Sequence, residues 1–340
     1  MAADNDDNGP WFLYQGDGEV QDKSAVRVQV SDLVRTIPYR AFDSCLWLKE
    51  IKIPTPVVSI GFSAFHNCKS LMTINIQDTS VTSIPTGLFS GCQSLTKIQL
   101  PTSVNSIGEA AFCGCHSLQS IVLPVSMTLI GDSVFRDCIA LRTVELPNGI
   151  ASIPFGTFLF CGSLTSIQIP ASVRLIGACA FSGCRALTAI ELPSSVTSFG
   201  PAAFGNCHSL KRIVVPNSVT EIRENAFWNC WSLATVRLPK NPNLTIGRGA
   251  FNSRNSLITI ELPRMALAVF PRCLEQFNDD LFFARIGLSQ VTRSTCMFSY
   301  LRQNAAELFV CRRHPAVMVE GRGRRRHHEQ EHERGQAMYL

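Results

Sequence analysis

A phenylalanine recurs through this chain at Phe42, Phe65, Phe89, Phe112, Phe135, Phe158, Phe181, Phe204, Phe227 and Phe251, in steps of 23 residues except for two steps of 24, into Phe89 and Phe251. A fixed period of this length marks a repeat array in which each unit contacts only its neighbours. Ten coils follow from the count. Within a coil, cysteine comes three residues after the phenylalanine, leucine six after, isoleucine or valine nine after, another large aliphatic eleven after, and usually proline twelve after. "AFCGCHSLQSIVLP", "AFSGCRALTAIELP" and "AFWNCWSLATVRLP" share that template.

The seventh coil shows what the template dictates. Its apolar set is Phe181, Cys184, Leu187, Ile190, Leu192, Val196 and Phe199. The Leu-x-x-Ile-x-Leu run ends in apolar and polar alternation, the period of a strand with one buried face. Pro193 closes that strand, because proline has no N–H to give to a ladder. The following S-S-V-T-S-F-G supplies a second apolar pair and a turn glycine, Gly200, and the short A-F-G-N-C that opens the next coil reads as a turn or a single helical turn. One coil has too little apolar surface to offset the ordering of its own backbone, so the units must stack and bury their faces against one another. The expected fold is a repeat solenoid with a parallel sheet along one side.

An open solenoid exposes its last core layer, so its ends need caps. Upstream, "AVRVQVSDLVRTI" places Val28, Val30, Val34 and Ile37 at template positions without the phenylalanine and cysteine, which predicts a half coil as the N-terminal cap. Residues 1–23 are expected to be an acidic, flexible N-terminus, and residues 24–270 the solenoid. "STCMFSYLRQNAAELF" sets Phe298, Leu301, Ala305, Leu308 and Phe309 at helical spacing, which predicts a helical cap over residues 271–315. Residues 316–340 lack apolar periodicity and are expected to be a disordered tail rich in Arg, His and Glu.

Hydrophobic residues make up 46% of the chain and charged residues 17%, so most of it buries a core. The net charge of +5 is concentrated at Arg322, Arg324, Arg325 and Arg326, and the tail glutamates Glu329, Glu331 and Glu333 offset it, so a nucleic-acid partner is not expected. The N-terminus carries acidic residues where an export signal carries positive charge, and no apolar run reaches membrane-spanning length. An intracellular, cytoplasmic protein is expected, with its fourteen cysteines reduced. The glycosylation pattern at Asn243 has meaning only in a secreted chain.

These repeats resemble the BspA-type leucine-rich repeats, whose template is close to "AFxxCxxLxxIxLPxSVxxIGxx", from about Ala25 to Ala268. Similar proteins include surface adhesins of bacteria and parasitic protists and large families in diatoms and other protists. The resemblance implies a curved, right-handed leucine-rich-repeat solenoid with its parallel sheet on the concave face and short strands and turns on the convex face. It also implies binding of other macromolecules, usually proteins, and brings no catalytic residue with it.

Cys45, Cys68, Cys92, Cys115, Cys138, Cys161, Cys184, Cys207 and Cys230 share one template position and predict a buried column of small apolar fillers. Cys113 and Cys179 lie off the template and are the candidates for exposed, reactive thiols. His66, His116 and His208 fall at variable, surface positions. Two rows of outward side chains flank the core residues of each strand: Glu50, Thr73, Lys97, Ser120, Thr143, Ser166, Ala189, Arg212, Thr235 and Thr259, then Lys52, Asn75, Gln99, Val122, Glu145, Gln168, Glu191, Val214, Arg237 and Glu261. Against that small polar background, the candidate partner-binding residues are Lys97, Glu145, Glu191, Lys211, Arg212 and Arg237, with Trp228 and Trp231 as an exposed pair at one rim. Aromatic and arginine side chains are the usual interface anchors.

In the tail, H-E-Q-E-H sets His328 and His332 at zinc-protease spacing beside Glu329, with Gly335 in the longer pattern. Met338 stands where the third histidine belongs, and a catalytic zinc needs three protein ligands on a rigid scaffold. A zinc metallopeptidase is therefore the remote alternative, and neither metal nor cofactor is expected. The function predicted is a non-enzymatic scaffold that binds a protein through the concave or rim surface, with no small-molecule substrate. An adhesin-like recognition protein exported by an unrecognised route is the alternative.

Overall fold

The computed structural model describes residues 10–241 and 244–252, together with the backbone of the strand Thr259–Glu261. The first nine coils each run one circuit: a turn around the phenylalanine, a strand or an isolated bridge, a second turn and a strand of two residues. No helix occurs among the described residues.

The first strands form a parallel ladder whose register advances by one coil per strand. Glu50 lies opposite Thr73, Thr73 opposite Lys97, Ser120 opposite Thr143 and Arg212 opposite Thr235. Around the sixth and seventh coils the ladder thins to isolated bridges, Gln168 to Glu191 and Ala189 to Arg212. One residue upstream the pairing never lapses. The Met72 N–H donates to the Lys49 carbonyl at 3.0 Å, Thr96 to Met72 at 3.3 Å, and the chain of bonds continues through Gln119, Arg142, Thr165, Thr188 and Lys211 to Ala234.

The two-residue strands form the second ladder, and the residue that follows each strand, glycine in most coils and Arg223 in the eighth, decides whether it continues. A glycine after the buried isoleucine donates to the isoleucine carbonyl of the coil before, as Gly61 does to Ile37 and Gly177 to Ile153, both at 2.7 Å. A Cβ on Gly177 would sit 2.6 Å from the backbone nitrogen of Phe155, so a side chain there would force the coils apart. Pro85 and Pro154 take this position in their coils and have no N–H to donate. The sheet breaks at those two coils: Thr36–Ile37 pairs with Ser59–Ile60, then Ser83–Ile84 begins a set ending at Leu129–Ile130, and Ser152–Ile153 begins a third ending at Thr245–Ile246.

A third ladder runs through the turn around each phenylalanine. The Phe42 N–H donates to Ala64 at 2.8 Å and the Ser44 N–H to His66 at 2.8 Å, and each later coil through the ninth repeats the pair. Turning alternate amides toward the next coil requires left-handed backbone two residues before and two residues after the phenylalanine. Arg40, Ala110 and Cys179 hold the first of these positions, and Ser44, Asn67 and Phe160 the second, with φ between 54° and 61° except for Ala110 at 52°. A phenylalanine tolerates that conformation poorly outside a well-braced turn.

Inside the three ladders the rings of Phe42 to Phe251 stack in one column, with successive centroids 5.2 to 5.6 Å apart. The cysteines form a second column, fully enclosed from Cys68 to Cys230. They are more than fillers. From Cys68 onward each thiol donates to the carbonyl of the phenylalanine one coil earlier, at 3.0 to 3.2 Å. That carbonyl already accepts the amide of its own coil's cysteine, as Phe42 does from Cys45 at 3.2 Å, so the thiol satisfies its second lone pair.

The N-terminal boundary differs from expectation. Trp11–Tyr14 is not flexible chain but a strand paired in parallel with Arg27–Val30, with Trp11 opposite Arg27 and Tyr14 opposite Val30. Tyr14 is enclosed, lies 4.8 Å from the Phe42 ring and donates its hydroxyl to the Gly18 carbonyl. It closes the phenylalanine column, while Val20 takes the next amide site by donating to Ala41 at 2.7 Å. The N-terminal cap is therefore a nearly full coil. The expected helical C-terminal cap, the tail with its H-E-Q-E-H and the Asn243 acceptor lie outside the described residues.

Candidate interaction surface

The strands place both predicted rows as the sequence spaced them. Within each three-residue strand from Glu50–Lys52 to Thr235–Arg237 the middle residue is buried and its flanks face outward, as in Lys97–Gln99 and Arg212–Val214. Lys97, Glu145, Glu191, Arg212 and Arg237 are all exposed on that outer face. They are not one site. Lys97 is five coils from Arg212, roughly 24 Å at the spacing of paired strands. Glu145 and Glu191 are two coils apart with Gln168 between them, roughly 10 Å.

Arg212 and Arg237, by contrast, stand in consecutive strands. Arg212 pairs with Thr235 and Val214 with Arg237. Lys211 extends the cationic stretch as the exposed residue just before the strand. The turn of the same coils carries the tryptophans. Trp228 is 41% exposed and Trp231 45%, large areas for side chains of this size. Trp231 stacks on His208 with ring centroids 3.9 Å apart and planes 5° apart, and its indole N–H donates to Asn229 Oδ1 at 2.6 Å. Burial, with Arg185 close by, lowers the His208 pKa below its ordinary value and favours the neutral ring. The Asn229 amide in turn donates to Asn206 Oδ1 at 3.0 Å, so the rim is braced across two coils.

Cys113 and Cys179 are less exposed than their off-template positions predict. Both are half-buried, and burial raises the pKa of each, which lowers its thiolate fraction near neutral pH. Arg136 beside Cys113 pulls the other way without overcoming it. Native alkylation at pH 8 is expected to modify these two slowly and the enclosed column not at all, with every thiol reacting after denaturation. Mass spectrometry of the labelled sites checks this, and rapid labelling of Cys138 or Cys161 in the native protein would contradict the packing.

A second cluster was not legible in the template. Trp11 lies between two cations, with the Arg27 guanidinium 4.3 Å and the Lys52 ammonium 4.2 Å from its ring centroid, and Arg27 also reaches Glu50 at 3.3 Å. Without the strand at Trp11–Tyr14 in register, nothing in the sequence brings Trp11 to Lys52.

The repeat of three ladders around phenylalanine and cysteine columns matches the family described as BspA type leucine rich repeat region, in six copies over residues 35–165 and 151–282. The chain belongs to that family. A leucine-rich-repeat protein from Bacteroides ovatus is similar at 32% identity and a TM-score of 0.64, covering 70% of this chain and 69% of that one. A leucine rich cell surface protein from Faecalibacterium prausnitzii is 29% identical over 72% of this chain and 81% of its own, with a TM-score of 0.45. The leucine-rich-repeat protein of T. pallidum is 30% identical over 59% and 83%, with a TM-score of 0.43. No curated protein matches. Leucine-rich-repeat proteins generally mediate protein–protein interaction or surface recognition. In this BspA-type chain no cluster of three metal-ligating side chains forms among the described residues.

Proposed function

We propose that this leucine-rich-repeat protein is a non-enzymatic scaffold that binds a protein partner on the outer face of its first sheet, taken as the concave side, and on the adjoining tryptophan rim. One observation carries the reading. Coils eight and nine depart together from a Ser, Thr and Gln background, presenting Lys211, Arg212 and Arg237 on the strands and Trp228 and Trp231 in the turn. Interface anchors are drawn from tryptophan and arginine, and few positions dominate binding. All eleven described cysteines are free thiols, which suits a reducing compartment and supports placing the protein inside the cell.

The test is affinity capture with the full chain, followed by titration of the recovered partner against purified variants. Trp228→Ala with Trp231→Ala, and Arg212→Glu with Arg237→Glu, are each expected to weaken binding by about thirtyfold or more, the effect of losing an anchor worth about 2 kcal/mol. Lys97→Ala, five coils away, is expected to change it by less than about threefold. A partner indifferent to both double variants removes this surface from consideration.

A further inference from the structure

Beyond the outer row, the strand ends of coils seven to nine line an open cavity of about 360 Å³ formed by Leu192, Ser194, Val214, Asn217, Arg237 and Lys240 among others. Its position follows from the period. The ninth coil, like the second, is one residue longer than the 23-residue period, and its extra length falls in the turn after Leu238 that carries Lys240. The Lys240 N–H donates to Asn217 Oδ1 at 2.8 Å, which fixes that turn against the coil before and leaves the Asn217 amide nitrogen as a donor. Arg237 and Lys240 are exposed, and among the described residues no ion pair joins either. No carboxylate lines the cavity. Glu191 is two coils from Arg237 across Val214, roughly 10 Å away and beyond ion-pair reach. Glu261 is the register neighbour of Arg237 on the other side.

We infer that this cavity binds a carboxylate side chain of an extended, acidic segment of the protein partner, with Arg237, Lys240 and the Asn217 amide as donors. The half-buried Leu192 and the exposed Val214 beside them accept an apolar residue of the same segment. An arginine offers a carboxylate two parallel bonds, and a lysine adds a point charge. The volume lies within the range of small ligand pockets and leaves room for one side chain with its backbone. This assignment rests on the scaffold reading and names the chemistry of its partner.

The probe is a short fluorescein-labelled peptide of alternating glutamate and leucine, titrated by anisotropy against the full chain. Saturable binding is expected, with at least a tenfold loss, about 1.4 kcal/mol, when glutamine replaces glutamate or when Arg237→Ala and Lys240→Ala are combined. Lys69→Ala, an exposed cation in the second coil, is expected to leave it unchanged, and Glu261→Gln to hold or tighten it. Thermal unfolding of each variant confirms that the solenoid is intact. Equal binding of the glutamine peptide, no response to the double variant, or tighter binding of a single-stranded oligonucleotide through the same two residues overturns the assignment. If partner capture still depends on Trp228 and Trp231 while the peptide ignores Arg237 and Lys240, the cavity assignment alone falls. If the peptide binds as expected but partner capture ignores the whole surface, the scaffold reading falls.

Discussion

Raising the pH from 8 to 10 is expected to unfold the solenoid, through its cysteines. Burial raises the pKa of Cys68, Cys92, Cys115, Cys138, Cys161, Cys184 and Cys207 well above the ordinary 9.0, and that of Cys45 to about 11. These thiols stay neutral in the folded chain while their unfolded counterparts ionise from about pH 9. Above that pH the unfolded state binds fewer protons, so stability falls as pH rises and is fully present below about pH 8. At pH 10 each group favours unfolding by on the order of 1 kcal/mol, and the eight act together. Their sum rivals the whole stability of an ordinary domain, about 5 to 15 kcal/mol.

The measurement is circular dichroism and thiolate absorbance followed together through an alkaline titration. Both are expected to change in one cooperative step between about pH 9 and 10.5, because no thiol can ionise until its coil opens. Lysine and tyrosine titrate nearby, so a comparison isolates the cysteines. A variant with Cys115→Ala, Cys138→Ala and Cys161→Ala starts less stable at pH 7, having lost three carbonyl partners, yet its stability falls less steeply with pH. Gradual thiolate formation ahead of unfolding, or an unchanged slope in the triple variant, would show that the column is open to solvent.

The physics of repetition explains which features the sequence discloses. A core residue of one coil recurs at the same place in the next, so the period alone yields the phenylalanine column, the cysteine column and the strand register that sets Thr73 beside Lys97. The breaks in the second sheet were not anticipated, although their cause is local: Pro85 and Pro154 lack the amide that their position donates in neighbouring coils. Features that occur once are hidden. Trp11–Tyr14 has neither the phenylalanine nor the cysteine of the template and is flanked by Asp17, Glu19 and Asp22, so a capping strand looked like solvated chain. The thiol donors were hidden for another reason: a buried cysteine fits an apolar filler and a donor alike until the carbonyl one coil earlier is placed. Among the candidate site residues, exposure was legible from alternation, but which of them gather was not, because that depends on coil number. Lys240 escaped notice because it sits in the lengthened turn of the ninth coil, where the template no longer aligns with its neighbours.

Phe135→Ala is expected to be the most damaging single truncation in the middle of the array. Phe135 is fully enclosed, with the Phe112 and Phe158 rings each 5.6 Å away, and its carbonyl accepts the Cys161 thiol. Removing the ring leaves a cavity costing about 3 to 5 kcal/mol. Two stacked contacts add about 0.5 to 1.5 kcal/mol each. The position matters as much as the sum. In a linear array the coupling between neighbours holds the halves together, so a gap at the fifth coil weakens both flanking interfaces and divides the cooperative unit. Urea unfolding should show a lower midpoint and a shallower slope, the sign that the two halves no longer unfold as one. Phe135→Leu, which refills much of the space without the ring contacts, should recover roughly half of the loss. A loss below about 1 kcal/mol, or an undiminished slope with the midpoint lowered, would mean that the ladders of backbone bonds, rather than the ring column, couple the coils.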